Sequence, residues 1–354
     1  MNVLIIELGG SHIECAYSFV YFLKSENHKA HLVCNKKLTP LFPDTKELSG
    51  ILEVENKFNF LTQISTFYRI RNYINQNNID TVIVNTVEIK LIRNLFLFIP
   101  KNINCVGLVH NAQKLEEGTT LKYFLSTKMK KYFVLGDFLL NNLKPYKKIR
   151  VQSFFPVYFP PSKNNKIFKP AGEYWITIPG EANQNRRDYL ELINEIKKTN
   201  FNKFVKFIFL GANKLGNDIP FDYFKQEWWE KHIVTFSSQL EYDVFHNYIQ
   251  LSDIILPLIK MKEDTMYQKN RISGSYNLGL SYKKLFLMPF TTKDNTDLQP
   301  FSIYYDSMQS LIKIINDLIE NPSIKSKLEE AYLSSQFNDI KKMAKNMCDF
   351  IFKK

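Results

Sequence analysis

Four short stretches of this 354-residue chain hold side chains whose types and spacing can do chemistry. Ser273-Gly274-Ser275 stands at the head of a helix-length segment. Such a turn presents unpaired backbone N–H groups, the helix dipole adds partial positive charge, and the glycine lets an anion approach the backbone. Either serine would also serve simply as a helix cap. Arg186-Arg187 lies in IPGEANQNRRDYLELINEI (178–196), shortly after Gly180. A guanidinium grips two phosphate oxygens in a planar fork and offsets their charge. Ion pairing with Asp188 and Glu191 is the plainer alternative. His110 ends an apolar run in GLVHNAQKL (107–115), and its imidazole suits general-base work or a hydrogen bond to a hydroxyl. His12 and Glu14 follow Gly9-Gly10 in ELGGSHIE (7–14) and extend that set.

The surrounding pattern predicts how these residues are positioned. Apolar strand-like runs at 2–8, 28–35, 80–86, 103–110 and 130–136 alternate with helical segments at 12–25, 59–77, 88–97 and 137–144. Residues 156–174 hold four prolines and a polar, basic middle, which reads as a linker. The alternation restarts with strands at 174–180, 204–211, 232–238, 253–259 and 285–289. Helices are expected from about Arg186 to Lys198, over 241–250 and after Ser275, and segments 306–321 and 325–352 close the chain as helices. Short apolar strands linked by helices imply parallel, doubly wound α/β sheets, whose ligands sit at the carboxyl ends of the strands.

SDIILPLIKMKEDTMYQKNRISGSYNLGLSYKKLFLMP (252–289) resembles the donor-binding end of family-4-like glycosyltransferases. Asp253 to Pro257, Ser273 to Ser275 and Lys284 to Pro289 fall in the family's order. The resemblance implies the GT-B plan, two Rossmann-like domains in tandem. Its boundaries here would be 1–158 for the acceptor-side domain, 159–173 for the linker, 174–324 for the nucleotide-sugar domain, and 325–354 for a helix packing back on the first. It implies that Gly180, Arg186, Arg187, Ser273, Gly274 and Ser275 face the donor diphosphate. Gly9, Gly10, Gly211, Phe236, Ser237, Ser238 and Asn270 would frame nucleoside or sugar, and His110, with His12 and Glu14, would be catalytic. The family's pair of glutamates near the serine turn is replaced by Asn270 and Leu278, with Glu263 and Asp264 nearby. That leaves the sugar and ribose contacts, and the stereochemistry, open. The function so implied is transfer from a nucleoside-diphosphate sugar, as co-substrate, to a hydroxyl of a glycan or lipid-linked acceptor, with no metal and no other cofactor. A sugar-nucleotide epimerase or a noncatalytic sugar-nucleotide-binding subunit of the same fold are the alternatives.

Composition narrows the classes further. The chain carries a net charge of +12, of which residues 1–160 hold +8, favouring an anionic partner such as a phosphate-bearing acceptor or a phospholipid surface. Residues 121–150 interleave basic residues with aromatics and leucines, as a peripheral contact with an anionic membrane would. No RNP, KH or helix-turn-helix signature accompanies them, so no nucleic-acid partner is expected. Cys15, Cys34, Cys105 and Cys348 lack metal or redox spacing and suit a reducing cytoplasm. There is no signal-like N-terminus, no apolar run of transmembrane length, no GxGxxG fingerprint and no P-loop.

Overall fold

The computed structural model describes residues 1–353 except 43–44, 56–59, 146–147, 165–166, 186, 202, 217–220, 262–268 and 322. The chain divides into two compact units. One comprises Met1–Pro160, Lys269–Arg271 and Asp339–Lys354; the other comprises Pro161–Gln268 and Ile272–Asn338.

The first unit is built on seven parallel strands in the order β3-β2-β1-β4-β5-β6-β7. In chain order these are β1 (Asn2–Glu7), β2 (Lys29–Asn35), β3 (Gly50–Val54), β4 (Thr81–Val84), β5 (Asn104–Val109), β6 (Lys131–Val134) and β7 (Arg150–Ser153). Helices α1 (Ile13–Ser25), α2 (Phe60–Gln76), α3 (Lys90–Leu95), α4 (Lys114–Glu117), α5 (Thr119–Tyr123) and α6 (Asp137–Asn141) connect them. Val3 to Ile6, Val82 to Val84 and Val106 to Val109 are buried continuously, as central parallel strands covered on both faces must be. The hydrophobic pattern does not reveal the two edge strands. GILEV of β3 and RVQS of β7 are half-exposed and keep polar residues, so neither reads as an apolar run. His12, expected inside the first helix, stands just before it in the left-handed region, at φ 67°.

The second unit holds six parallel strands in the order β10-β9-β8-β11-β12-β13. They are β8 (Glu173–Pro179), β9 (Phe204–Ala212), β10 (Ile233–Phe236), β11 (Ile254–Ile255), β12 (Leu285–Pro289) and β13 (Ser302–Tyr305). Helices α7 (Tyr189–Lys198), α8 (Glu227–His232), α9 (Tyr242–Leu251), α10 (Gly274–Ser281), α11 (Met308–Glu320) and α12 (Ser323–Ser334) flank them. Residues 253–259 are not the one long strand expected, because β11 ends at Ile255. Pro257 lacks an N–H for the ladder, and buried Leu258 turns the chain at φ 52°.

The last segment is two helices, not one. α13 (Ile340–Phe352) follows a break after α12 and belongs to the first unit, where it packs on α1. All four cysteines are buried and free. Among the described residues no helix is long and apolar enough to cross a membrane.

Both sheets reverse strand order beside their first strand, between β1 and β4 and between β8 and β11. At such switch points the loops leaving the carboxyl ends part in opposite directions and open a crevice for ligands.

Candidate functional site

In the first unit, residues from three loops meet at the carboxyl edge. The rings of His12, after β1, and His110, after β5, stack with centroids 3.9 Å apart. His110 Nε2 lies 2.8 Å from the Asn85 carbonyl. A carbonyl only accepts, so Nε2 carries the hydrogen and Nδ1 keeps its lone pair. His12 Nδ1 faces Glu14 Oε1 at 3.3 Å. Burial, with His12 beside it, drives the His110 pKa down to about 4, outweighing the Asn85 carbonyl. His12 shifts upward: burial opposes its charge, but the Glu14 hydrogen bond and the fields of Glu14, Glu7 and Glu88 prevail. At neutral pH the stack therefore pairs a neutral His110 with a more basic His12. For Glu14, burial opposes the charge, but the hydrogen bond and field of His12 pull its pKa below the ordinary value.

Two carboxylates that no sequence motif singles out complete this cluster. Glu7, fully buried at the end of β1, accepts from the Gly9 backbone at 2.6 Å, Asn85 Nδ2 at 2.7 Å and Thr86 Oγ1 at 2.6 Å. Asn85 Nδ2 also donates to the His12 carbonyl at 2.8 Å, so one side chain ties the left-handed turn at His12 to Glu7. Glu88 Oε1 accepts from the backbone N–H groups of His110 (2.7 Å) and Asn111 (2.9 Å), while its buried Oε2 has no partner among the described residues. Burial raises both pKa values despite these hydrogen bonds. Each acid follows an apolar strand, VLII or VIV, beside the switch point. That position was their one signal in the sequence.

The glycines divide by role. A Cβ on Gly9 would lie 2.7 Å from Glu7 Oε1, so this glycine makes room for the carboxylate. Gly10 is exposed, and a Cβ there would meet nothing within 4 Å. Asn270 belongs to the first unit, where its carbonyl accepts from Ala112 N at 2.9 Å, two residues beyond His110.

In the second unit, Gly180 follows β8 at φ 101°, a conformation that favours glycine, and a Cβ there would lie 3.1 Å from Arg187 Nη2. Gly211 of β9 lets this turn sit close, since its Cβ would lie 2.4 Å from the Gly180 carbonyl. Arg187 precedes α7 and bridges to Ile259, the residue after the left-handed Leu258. Its Nη1 contacts Tyr189 Oη at 3.5 Å, and it makes no ion pair among the described residues. Among the described residues no ion pair joins Arg187 to Asp188 or Glu191. Ser273 caps α10: its Oγ accepts from Ser275 N at 3.4 Å and lies 2.6 Å from Ser275 Oγ. The capping role is thus realised, and the space beside Gly274 is open. Phe236 meets Tyr248 edge to face at 5.3 Å, with Ser237 and Ser238 exposed beyond it. Arg186, Glu263 and Asp264 lie outside the described residues. Among the described residues no group of three His, Cys, Asp or Glu side chains could hold a metal.

Within 121–150 most apolar side chains, including Leu121, Leu125, Tyr132, Phe133 and Phe138, are core. Tyr123 and Phe124 are exposed, with Lys122 Nζ 5.2 Å from the Tyr123 ring centre.

Neither a family model nor a curated protein matches this sequence. Solved structures do. HepE of Anabaena, determined with UDP and glucose, superposes at TM-score 0.63 and 12% identity over 99% of this chain and 98% of its own. A glycosyltransferase of Rickettsia africae gives TM-score 0.59 and 14% identity, over 99% and 98% of the two chains. The chain has the GT-B fold. The UDP-GlcNAc 2-epimerase of Methanocaldococcus jannaschii shares this GT-B fold at TM-score 0.59 and 14% identity, over 91% and 94%. At these identities the likeness is one of fold.

Proposed function

We propose that this protein is a glycosyltransferase that moves a sugar from a nucleoside-diphosphate donor to a hydroxyl of a glycan or lipid-linked acceptor. One observation carries the reading. Arg187, without an ion-pair partner among the described residues and set against Gly180 after β8, and the capped Ser273–Ser275 turn after β11 leave the sheet on either side of its switch point. An arginine fork and a helix N-terminus at that place suit a diphosphate. When the bond between the sugar and the diphosphate breaks, Arg187 offsets the charge on the departing oxygen, so no metal is required. In the first unit, His110 Nδ1 is a neutral acceptor for the proton of an attacking hydroxyl, and Glu7, Asn85 and Glu88 hold the histidine pair in place. A lipid-linked acceptor would bring Lys122, Tyr123 and Phe124 to an anionic membrane surface. That HepE binds UDP and glucose supports the donor class.

Epimerisation of a sugar nucleotide is the second reading, favoured by the buried acids Glu7 and Glu88 beside the histidines and by the epimerase of like fold. The decisive experiment offers UDP-, GDP- and dTDP-sugars to the purified chain, scoring binding, slow hydrolysis and epimerised product without acceptor. A transferase binds one donor and hydrolyses it slowly. Binding of none removes both readings, and an epimerised sugar selects the second.

A further inference from the structure

A cavity of about 310 Å³ opens in the first unit between the residues after β4 and those after β5. That is the lower end of small-molecule sites, room for one sugar-sized group. Leu121 and Leu125 line its apolar side, and Thr119 and Thr120 bring hydroxyls. Lys90, Arg93 and Lys114 all line it, and none makes an ion pair among the described residues. Arg93 spends one donor on Asn94 Oδ1 at 3.3 Å, and neither lysine ammonium has a hydrogen-bond partner among the described residues. Two acids also line the cavity: Glu117 accepts from Gln113 at 2.9 Å, and Glu88 Oε1 accepts from the His110 and Asn111 backbone, so three cations face two carboxylates and the lining keeps a net positive charge. Three cations lining one concave site raise the local concentration of anions, and a dianion answers them better than a carboxylate does. Glu88 is shared: it lines the cavity and fixes the backbone of His110.

We infer that this cavity is a phosphate-binding subsite, taking a phosphate group carried by the acceptor while Glu88 joins it to the histidine pair. The acceptor role rests on the transferase reading; the phosphate site does not. The test uses the full chain saturated with UDP, so that any diphosphate site is filled, and titrates it with methyl phosphate, glucuronate and glucose by calorimetry. Vesicles of phosphatidylcholine with and without phosphatidylglycerol form a separate arm that distinguishes a lipid headgroup from a soluble phosphate. Saturable methyl phosphate binding is expected, tighter than glucuronate and absent for glucose. The variant Lys90→Ala/Arg93→Ala/Lys114→Ala should lose at least tenfold in that affinity with UDP binding and thermal unfolding unchanged, because all three side chains are exposed. Methyl phosphate affinity equal in the two proteins, or glucuronate bound more tightly, overturns the inference. If none of UDP, GDP and dTDP binds but the triple variant still loses methyl phosphate, the subsite stands and the transferase reading falls.

Discussion

Arg187 and the histidine pair are where single atoms decide the outcome. A charged hydrogen bond contributes about 1.5–3 kcal/mol, so Arg187→Ala should weaken the preferred nucleoside diphosphate roughly ten- to a hundredfold. Arg187→Lys should recover only part, since an ammonium cannot reproduce the planar fork. Calorimetric titration checks both, and full affinity in the alanine variant would remove Arg187 from the diphosphate site. His110 predicts a pH dependence whose sign follows from linkage. An unfolded histidine takes up its proton near pH 6.5, whereas folded His110 stays neutral down to about 4. Through that window the unfolded chain binds more protons, so this residue lowers stability as pH falls. The raised pKa of His12 acts oppositely: its contribution is full below about pH 6.5 and is lost as pH rises through the folded value. Urea midpoints of His110→Gln should therefore gain on wild type between pH 6.5 and 4. A constant difference across the window would mean that His110 titrates as it does unfolded.

Two glycines of the second unit separate structure from binding at the scale of elements. A Cβ on Gly211 meets the Gly180 backbone at 2.4 Å, so the turn after β8 must move. Gly211→Val should cost about 1–3 kcal/mol of stability, as overpacking does, and displace Arg187 as well. Gly274→Val points into open space at the start of α10 and should leave the unfolding midpoint nearly unchanged while abolishing nucleotide binding. Thermal unfolding and titration of both variants test this pairing; a Gly274→Val protein that binds normally would reduce the serine turn to a cap. The same scale shows what could be read from sequence. Central strands such as VLII and TVIV announce themselves because burial on both faces leaves a continuous apolar run. β3, β7 and β13 did not, because edge strands keep polar residues on a wet face. The arginine, glycine and serine positions were legible from type and spacing. Glu7 and Glu88 were not, because a carboxylate looks alike whether it solvates a surface or is buried against backbone N–H groups.

For the whole molecule, the order of the chain and the order of folding part company at α13. The last helix completes the first unit, so that unit cannot be whole until the second has been made. Ala344, Met347, Cys348, Phe350 and Ile351 are buried, and the Phe350 ring lies 4.9 Å from Phe133 of β6. Both ends of the helix are tied down. Asp339 Oδ1 accepts from Lys342 N at 2.9 Å, while Asn104 Nδ2 and Lys131 Nζ donate to the Ile351 carbonyl at 3.1 and 3.0 Å. Asn104 and Lys131 begin β5 and β6, at the edge of the sheet opposite the histidines, so α13 stabilises without touching the site. Phe350→Ala should destabilise the first unit by about 3 kcal/mol through lost burial and the cavity left behind. Hydrogen exchange should then quicken in α1, β5 and β6 and remain unchanged in β8, β9 and α7, with nucleotide affinity intact. Equal quickening in both groups would show that the two units unfold as one block, and that the closing helix stabilises the molecule rather than one half of it.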